Sequence, residues 1–184
     1  PISLVANSNY VITYVPADLT VTARPINLTA NAATKVYGEA NPALSYTAEA
    51  LSAGRGLVAG DVFTLTTAAT TTSGVNTYPI SLVANSNYAI TYVPADLTVT
   101  ARPINLTANA ATKVYGEANP AFSYTAEALS AGRGLVSGDV FTGGLATTAT
   151  TASGVNTYAI TLGTLANSNY GISYVPANLT VTAR

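Results

Sequence analysis

Residues 96–109 read DLTVTARPINLTAN, and residues 18–31 read the same fourteen letters. On the far side of the Arg-Pro pair, Ile26, Leu28 and Ala30 alternate with Asn27 and Thr29, so the segment reads as a strand with one apolar face. On the near side, Leu97-Thr98-Val99-Thr100 reads as another. A strand ending at Ala101 and one starting at Ile104 leave only Arg102-Pro103 between them. A two-residue link containing proline is stiff. Units joined this way are expected to sit end to end with restricted bending, as a rod.

Working outward from that phrase, the chain repeats itself. Residues 1–64 and 79–142 align at an offset of 78 and differ only at Val11/Ala89, Leu44/Phe122 and Ala59/Ser137, leaving 61 of 64 positions identical. Beyond them the copies drift. FTLTTAATTTSGVNTY (63–78) becomes FTGGLATTATTASGVNTY (141–158), and PISLVANSNY (79–88) becomes AITLGTLANSNY (159–170), each two residues longer, as surface loops tolerate. Three units follow: residues 1–24 as the last third of a preceding repeat, 25–102 as one full repeat and 103–184 as the next. The chain reads as a window on a longer array, and such arrays commonly serve length or valency.

Composition narrows the chemistry. The 184 residues include no Cys, Met, Trp or His, which removes the thiol nucleophile, the usual zinc ligands and the commonest general base. Seven basic and eight acidic residues give a net charge of −1, which argues against a nucleic-acid partner. No run of apolar residues is long enough for a membrane span. The acids of the first full repeat, Glu39, Glu49, Asp61 and Asp96, fall in different turns, whereas glycoside hydrolysis needs two carboxylates facing one another across a cleft. No catalytic residue, cofactor or metal site is expected.

Within 25–102 the alternation recurs at Leu44, Tyr46 and Ala48, at Val62 to Thr66, at Val75 to Val83, at Tyr88 to Tyr92 and at Leu97 to Thr100. Pro79 argues that its strand is an edge or carries a bulge. Turn signals separate them at Gly38, Asn41-Pro42, Gly54, Gly56, Gly60-Asp61, Ser73-Gly74, Asn85 to Asn87 and Pro94 to Asp96. Six or seven short strands per repeat predict an all-β, small sandwich-like two-layer domain. Two glycines leave the one helical candidate, 48–58, room for a single turn at most. Tyr88, Ile90 and Tyr92 share one strand face and read as a core row, rather than as part of an exposed aromatic stripe with Tyr10, Tyr14 and Tyr78.

These motifs together resemble the MBG domain (mostly beta, glycine-rich) of the Tyr-Gly-x type. They are Lys35-Val36-Tyr37-Gly38-Glu39, the following Asn41-Pro42, Gly56-Leu57-Val58-Ala59-Gly60-Asp61, Gly74-Val75-Asn76-Thr77-Tyr78 and Asn87-Tyr88, all repeated from Lys113 to Tyr170. The resemblance implies tandem arrays in large secreted bacterial proteins, an extracellular or cell-surface location, and a structural or adhesive role without catalysis.

The stretch KVYGEANPA, at 35–43 and 113–121, gathers a lysine, a tyrosine, a glycine, a glutamate and an asparagine into nine residues, a dense polar cluster in a chain with 8% charged residues. It reads as a structural corner: Gly38 permits the turn, and Tyr37 packs its ring on its own domain with the hydroxyl toward solvent or a backbone group. Lys35 and Lys113, the only lysines, could form an isopeptide with an asparagine; the plainer reading is a cap on a solvated strand end. Asp96, Asp18 and Asn178 at the joints are too few for calcium. Asn27, Asn105 and Asn178 match the glycosylation pattern but lie on polar strand faces. The expected role is a stiff spacer of an adhesin-like surface protein. The alternatives are a filament built by strand addition, with residues 1–24 completing a sheet of a neighbouring domain or a second chain, and a ligand-binding module using the lengthened loop near 143–144. Expected partners are neighbouring repeats and other copies of the chain.

Overall fold

A computed structural model describes residues 2–184. The first repeat holds β1 (Arg24–Ala30), β2 (Ala33–Val36), β3 (Tyr46–Ala48), β4 (Leu65–Thr67), β5 (Asn76–Leu82), β6 (Tyr88–Val93) and β7 (Ala95–Thr100). The second holds β8 (Arg102–Ala108), β9 (Ala111–Val114), β10 (Tyr124–Ala126), β11 (Ala146–Thr147), β12 (Asn156–Thr161), β13 (Tyr170–Val175) and β14 (Ala177–Thr182). The fold is all-β, with no helix among the described residues; the 48–58 segment contains a tight turn closed by a Ser52–Arg55 bridge.

Each repeat has two sheets. In the first, β3-β1-β6 forms one layer, with β1 and β6 parallel, and β2-β7-β5-β4 forms the other, with β2 and β7 parallel. The second repeats this as β10-β8-β13 and β11-β12-β14-β9. The predicted alternation on β1 turns Ile26, Leu28 and Ala30 inward. Ala30 and Tyr92 from the first layer meet Ile80 and Leu97 from the second, and Ile26, Leu28 and Tyr88 pack with Phe63. Fully burying one such aliphatic side chain contributes about 1.5–3 kcal/mol. The Tyr88, Ile90, Tyr92 row lies in this core as expected.

Three expectations need correcting. The strand expected from Val62 begins only at Leu65, although Phe63 ahead of it is buried. The Pro79 strand is internal, flanked by β4 and β7, and shows no need of an edge: β4 pairs only as far as Ile80, so no ladder neighbour faces Pro79 on that side. Nor do Arg102 and Pro103 form a linker. β7 ends at Thr100 and β8 begins at Arg102, so Ala101 alone separates the strands, because Arg102 and Pro103 pair in parallel with Tyr170 and Gly171.

From residue 2 to 23 the described pairing is a single isolated bridge, Ile2 to Ala17, with the Tyr14 hydroxyl donating to the Ile2 carbonyl. The segment does not complete a neighbouring sheet within the chain.

Candidate inter-repeat docking site

The KVYGEANPA loop of the first repeat ends on the second repeat. β2 delivers it there, because the Tyr37 N–H continues the β2–β7 ladder by donating to the Thr100 carbonyl at 3.0 Å, two residues before Arg102. Tyr37 is buried, its ring edge-on to Tyr170 with centroids 5.6 Å apart and planes at 75°. Its hydroxyl donates to Asp139 Oδ1 at 3.3 Å, while the Tyr170 hydroxyl donates to Asp139 Oδ2 at 2.5 Å and accepts from the Val136 N–H. One carboxylate is thus bracketed by phenols from both repeats. The expectation that Tyr37 packs on its own domain is corrected: its ring and hydroxyl belong to the joint.

Arg102 organises the rest. Its guanidinium is 1% exposed, and each of its five N–H donors has an acceptor. Nε donates to Gly134 O, and Nη2 to Ser130 O and Arg133 O, all within the second repeat. Nη1 donates to Tyr37 O at 3.0 Å and Glu39 Oε1 at 2.9 Å, both across the joint. Glu39 Oε1 also accepts from the Gly132 N–H at 2.9 Å. A buried cation is tolerated when every donor is satisfied and a carboxylate is paired with it. A second contact lies beside this one, where the Val75 N–H donates to Asn169 Oδ1 at 3.0 Å.

Charge follows contact. The Gly132 N–H, and after it Arg102, holds the Glu39 carboxyl below its ordinary range. Burial, reinforced by Asp139, pushes the Tyr170 phenol up to about 12 and raises Tyr37 as well.

Gly38 shows why this loop carries glycine. Its φ is +81°, and a Cβ there would stand 2.6 Å from Val136 Cγ2 of the other repeat. Turn conformation and close approach ask for the same residue.

Lys35 does not cap a solvated strand end. It is buried, and its ammonium donates to the Glu39 carbonyl at 3.0 Å and to the Thr70 carbonyl, tying the base of the loop to the turn after β4. Lys113 does the same with Glu117 O and Thr150 O. The hydrogen-bond partners of both ammoniums are backbone carbonyls, and none is the carboxyl that would shuttle the proton in an isopeptide condensation. Burial lowers the Lys35 pKa.

The remaining candidates stay apart. Glu49 pairs with Arg55, and Asp61 accepts from the Tyr88 hydroxyl. Among the described residues no three His, Cys, Asp or Glu side chains converge as metal ligands. Asn27, Asn105 and Asn178 are exposed on their strands. The lengthened loop meets the other lengthened loop: Thr164 N donates to Gly144 O at 3.0 Å, and Gly144 N to Thr164 Oγ1 at 3.2 Å. With the loop so extended, Leu165 enters the core, while Val83, which precedes Ala84 as Leu165 precedes Ala166, is exposed.

Sequence reading marked Tyr37, Glu39 and Arg102 separately and missed that they meet, and it missed Asp139, Tyr170 and Gly132 as their receivers. The available signal was charge scarcity: one arginine at the joint and one glutamate in the loop, in a chain with 8% charged residues.

Among curated proteins none matches the chain. The family model for the MBG domain (YGX type) matches it twice, over residues 26–98 and 104–180. The family is one of structural repeat domains, fits a repeat module of a surface protein and is not a known enzyme family. The chain, with its Tyr-Gly-Glu loop set into the next repeat, belongs to the MBG domain family of the YGX type.

Proposed function

We propose that this chain is a non-enzymatic structural repeat of an extracellular, adhesin-like bacterial surface protein, acting as a stiff spacer. The observation that carries this reading is Arg102. Its five donors are divided between the two repeats, so bending the joint breaks charge-assisted hydrogen bonds made by a buried guanidinium. With a single residue between β7 and β8, and Tyr37 packed on Tyr170, rotation about the chain has little room.

The absence of native cysteine makes the test direct. Thr34→Cys and Thr112→Cys place spin labels at equivalent exposed sites, one per repeat. The spacer reading expects one narrow distance distribution, broadened by Arg102→Ala. A broad distribution in the otherwise unaltered chain overturns it.

A further inference from the structure

The two repeats differ in the length of the arch that carries the chain from one layer to the other. Under the first repeat's arch, between β5 and β6, lies a hollow of about 510 Å³, within the roughly 300–1,000 Å³ of ligand sites. Ile80 and Leu82 of β5 and Tyr88, Ile90 and Tyr92 of β6 wall it, and no charged residue lines it. Both tyrosine hydroxyls are already engaged, Tyr88 donating to Asp61 and Tyr92 to the Ile80 carbonyl at 2.7 Å. Ser81 and Asn85 are the remaining polar side chains of the lining. Such a wall suits an uncharged, aliphatic occupant; an ion or a sugar would need more polar partners than it offers.

In the second repeat the longer arch carries its own filler. Leu165 stands where the first repeat has Val83, and it is 5% exposed against 48%. Leu165 belongs to a buried cluster with Tyr170, against which Leu162, Ile172 and Tyr174 pack. Those four are the counterparts of Tyr88, Leu82, Ile90 and Tyr92 in the wall of the hollow. The backbone around Leu165 is held as a strand would be. Thr164 N donates to Gly144 O at 3.0 Å, while Ala166 N donates to Thr142 O at 2.8 Å and Thr142 N to Ala166 O at 2.9 Å. The filler is thus a leucine side chain on hydrogen-bonded backbone. The first repeat has a backbone partner to offer in turn. β6 is the outer strand of β3-β1-β6, and an open sheet edge accepts an added strand. A strand added there turns alternate side chains to the face that carries Tyr88, Ile90 and Tyr92.

The hollow does not arise from a missing neighbour. The second repeat receives the first through Arg102, Gly132, Val136, Asp139, Asn169 and Tyr170. Of their counterparts in the first repeat only Tyr88 lines the hollow, and no residue from 2 to 23 lines it. We propose that the hollow under the β5–β6 arch is a peptide-binding site. It takes an uncharged, extended segment that lies along β6 and inserts a leucine-sized aliphatic side chain. In the second repeat the lengthened arch plugs the same site with Leu165, so the two arch lengths make one repeat receptive and the other closed. The proposal goes beyond the spacer reading, which concerns the joint, and it stands or falls separately from it.

The test uses the full chain, isotopically labelled, and a blocked peptide Leu-Gly-Thr-Leu-Ala-Asn, the sequence of residues 162–167. Ala89 and Thr91 of the first repeat stand where the second has Gly171 and Ser173, which helps to tell the amide signals of the two arches apart. Millimolar peptide is expected to shift Leu82, Tyr88, Ile90 and Tyr92 saturably and to leave Leu162, Tyr170, Ile172 and Tyr174 in place. A peptide with aspartate for its second leucine is expected to bind about tenfold more weakly or worse, since it forfeits the burial of that side chain. A second chain gives the first repeat both lengthened loops, with Gly-Gly inserted after Thr64 and Gly-Thr-Leu in place of Val83. It copies a sequence that the second repeat already folds, and it is expected to lose the response. Absence of shifts in the unaltered chain, shifts outside the arch, an equal response to the aspartate peptide, or undiminished binding by the lengthened chain overturns the proposal.

Discussion

The loops Tyr37-Gly38-Glu39 and Tyr115-Gly116-Glu117 have one sequence and two fates. The first buries its tyrosine on Tyr170 and sets its half-exposed glutamate on Arg102 and its glycine against Val136. The second is exposed, and a Cβ on Gly116 would meet nothing nearer than Arg184 Nη1 at 3.8 Å. Since the loops and the strands that carry them are alike, the difference measures what a neighbouring repeat adds. Local sequence sets the loop's shape; only the neighbour turns it into a joint.

Paired substitutions break this comparison in graded steps. The largest step is the aromatic ring. Tyr37→Ala removes a buried aromatic side chain and is expected to cost about 3–5 kcal/mol. Tyr115→Ala, at an exposed position, is expected to stay within about 0.5 kcal/mol. Urea unfolding of both variants checks this, and equal midpoints would remove the neighbour from the explanation. Arg102→Ala comes next. It strips the donors from Gly134, Ser130 and Arg133 carbonyls as well as from the joint, for about 3 kcal/mol, since hydrogen bonds to charged groups contribute about 1.5–3 kcal/mol each and neighbouring water recovers part. Arg24→Ala loses only the contacts within its own repeat and is expected to cost roughly half as much.

Gly38→Ala and Gly116→Ala separate backbone from contact. Both loops hold glycine at positive φ, +81° and +88°, where an L side chain costs about 1–2 kcal/mol. Gly38→Ala must in addition displace Val136 Cγ2. The excess loss of Gly38→Ala over Gly116→Ala, read by thermal unfolding, reports the tightness of the joint; no excess would show that Val136 moves aside freely.

How much of this was legible in the sequence follows the range of the interactions. Period-two alternation gave β1, β6 and the Tyr88, Ile90, Tyr92 row, because strand faces are written in adjacent letters. The family motif, present in two copies, gave the family and its tandem repetition. Arg102 was misread as a linker because Arg-Pro looks like a break, while its pairing with Tyr170 lies 68 positions away. The Asp139 and Tyr170 receivers were hidden for a related reason. In the first repeat the same letters, Asp61 and Tyr88, bond each other with Val58 N–H and without a second phenol, so the motif does not say whether one arrives.

The smallest effects are expected from pH, and they load the joint from both sides. The Glu39 carboxyl is held below its ordinary range by Gly132 N–H and Arg102, so it binds a proton more weakly folded than unfolded. Its contribution is present above the unfolded value near 4.5 and is lost as pH falls through the folded one. The Tyr170 phenol is displaced the other way, to about 12. Between the ordinary tyrosine value near 10 and that figure the unfolded chain has released its proton while the folded chain keeps it. The contribution of this phenol is therefore full below pH 10 and declines above it. The interlabel distance between the repeats is expected to broaden below pH 4.5 and again above pH 10, with the alkaline step accompanied by tyrosinate absorbance. Glu39→Gln is expected to abolish the acid step and leave the alkaline one. An acid step that survives in Glu39→Gln would place the titrating group outside the Arg102 contact.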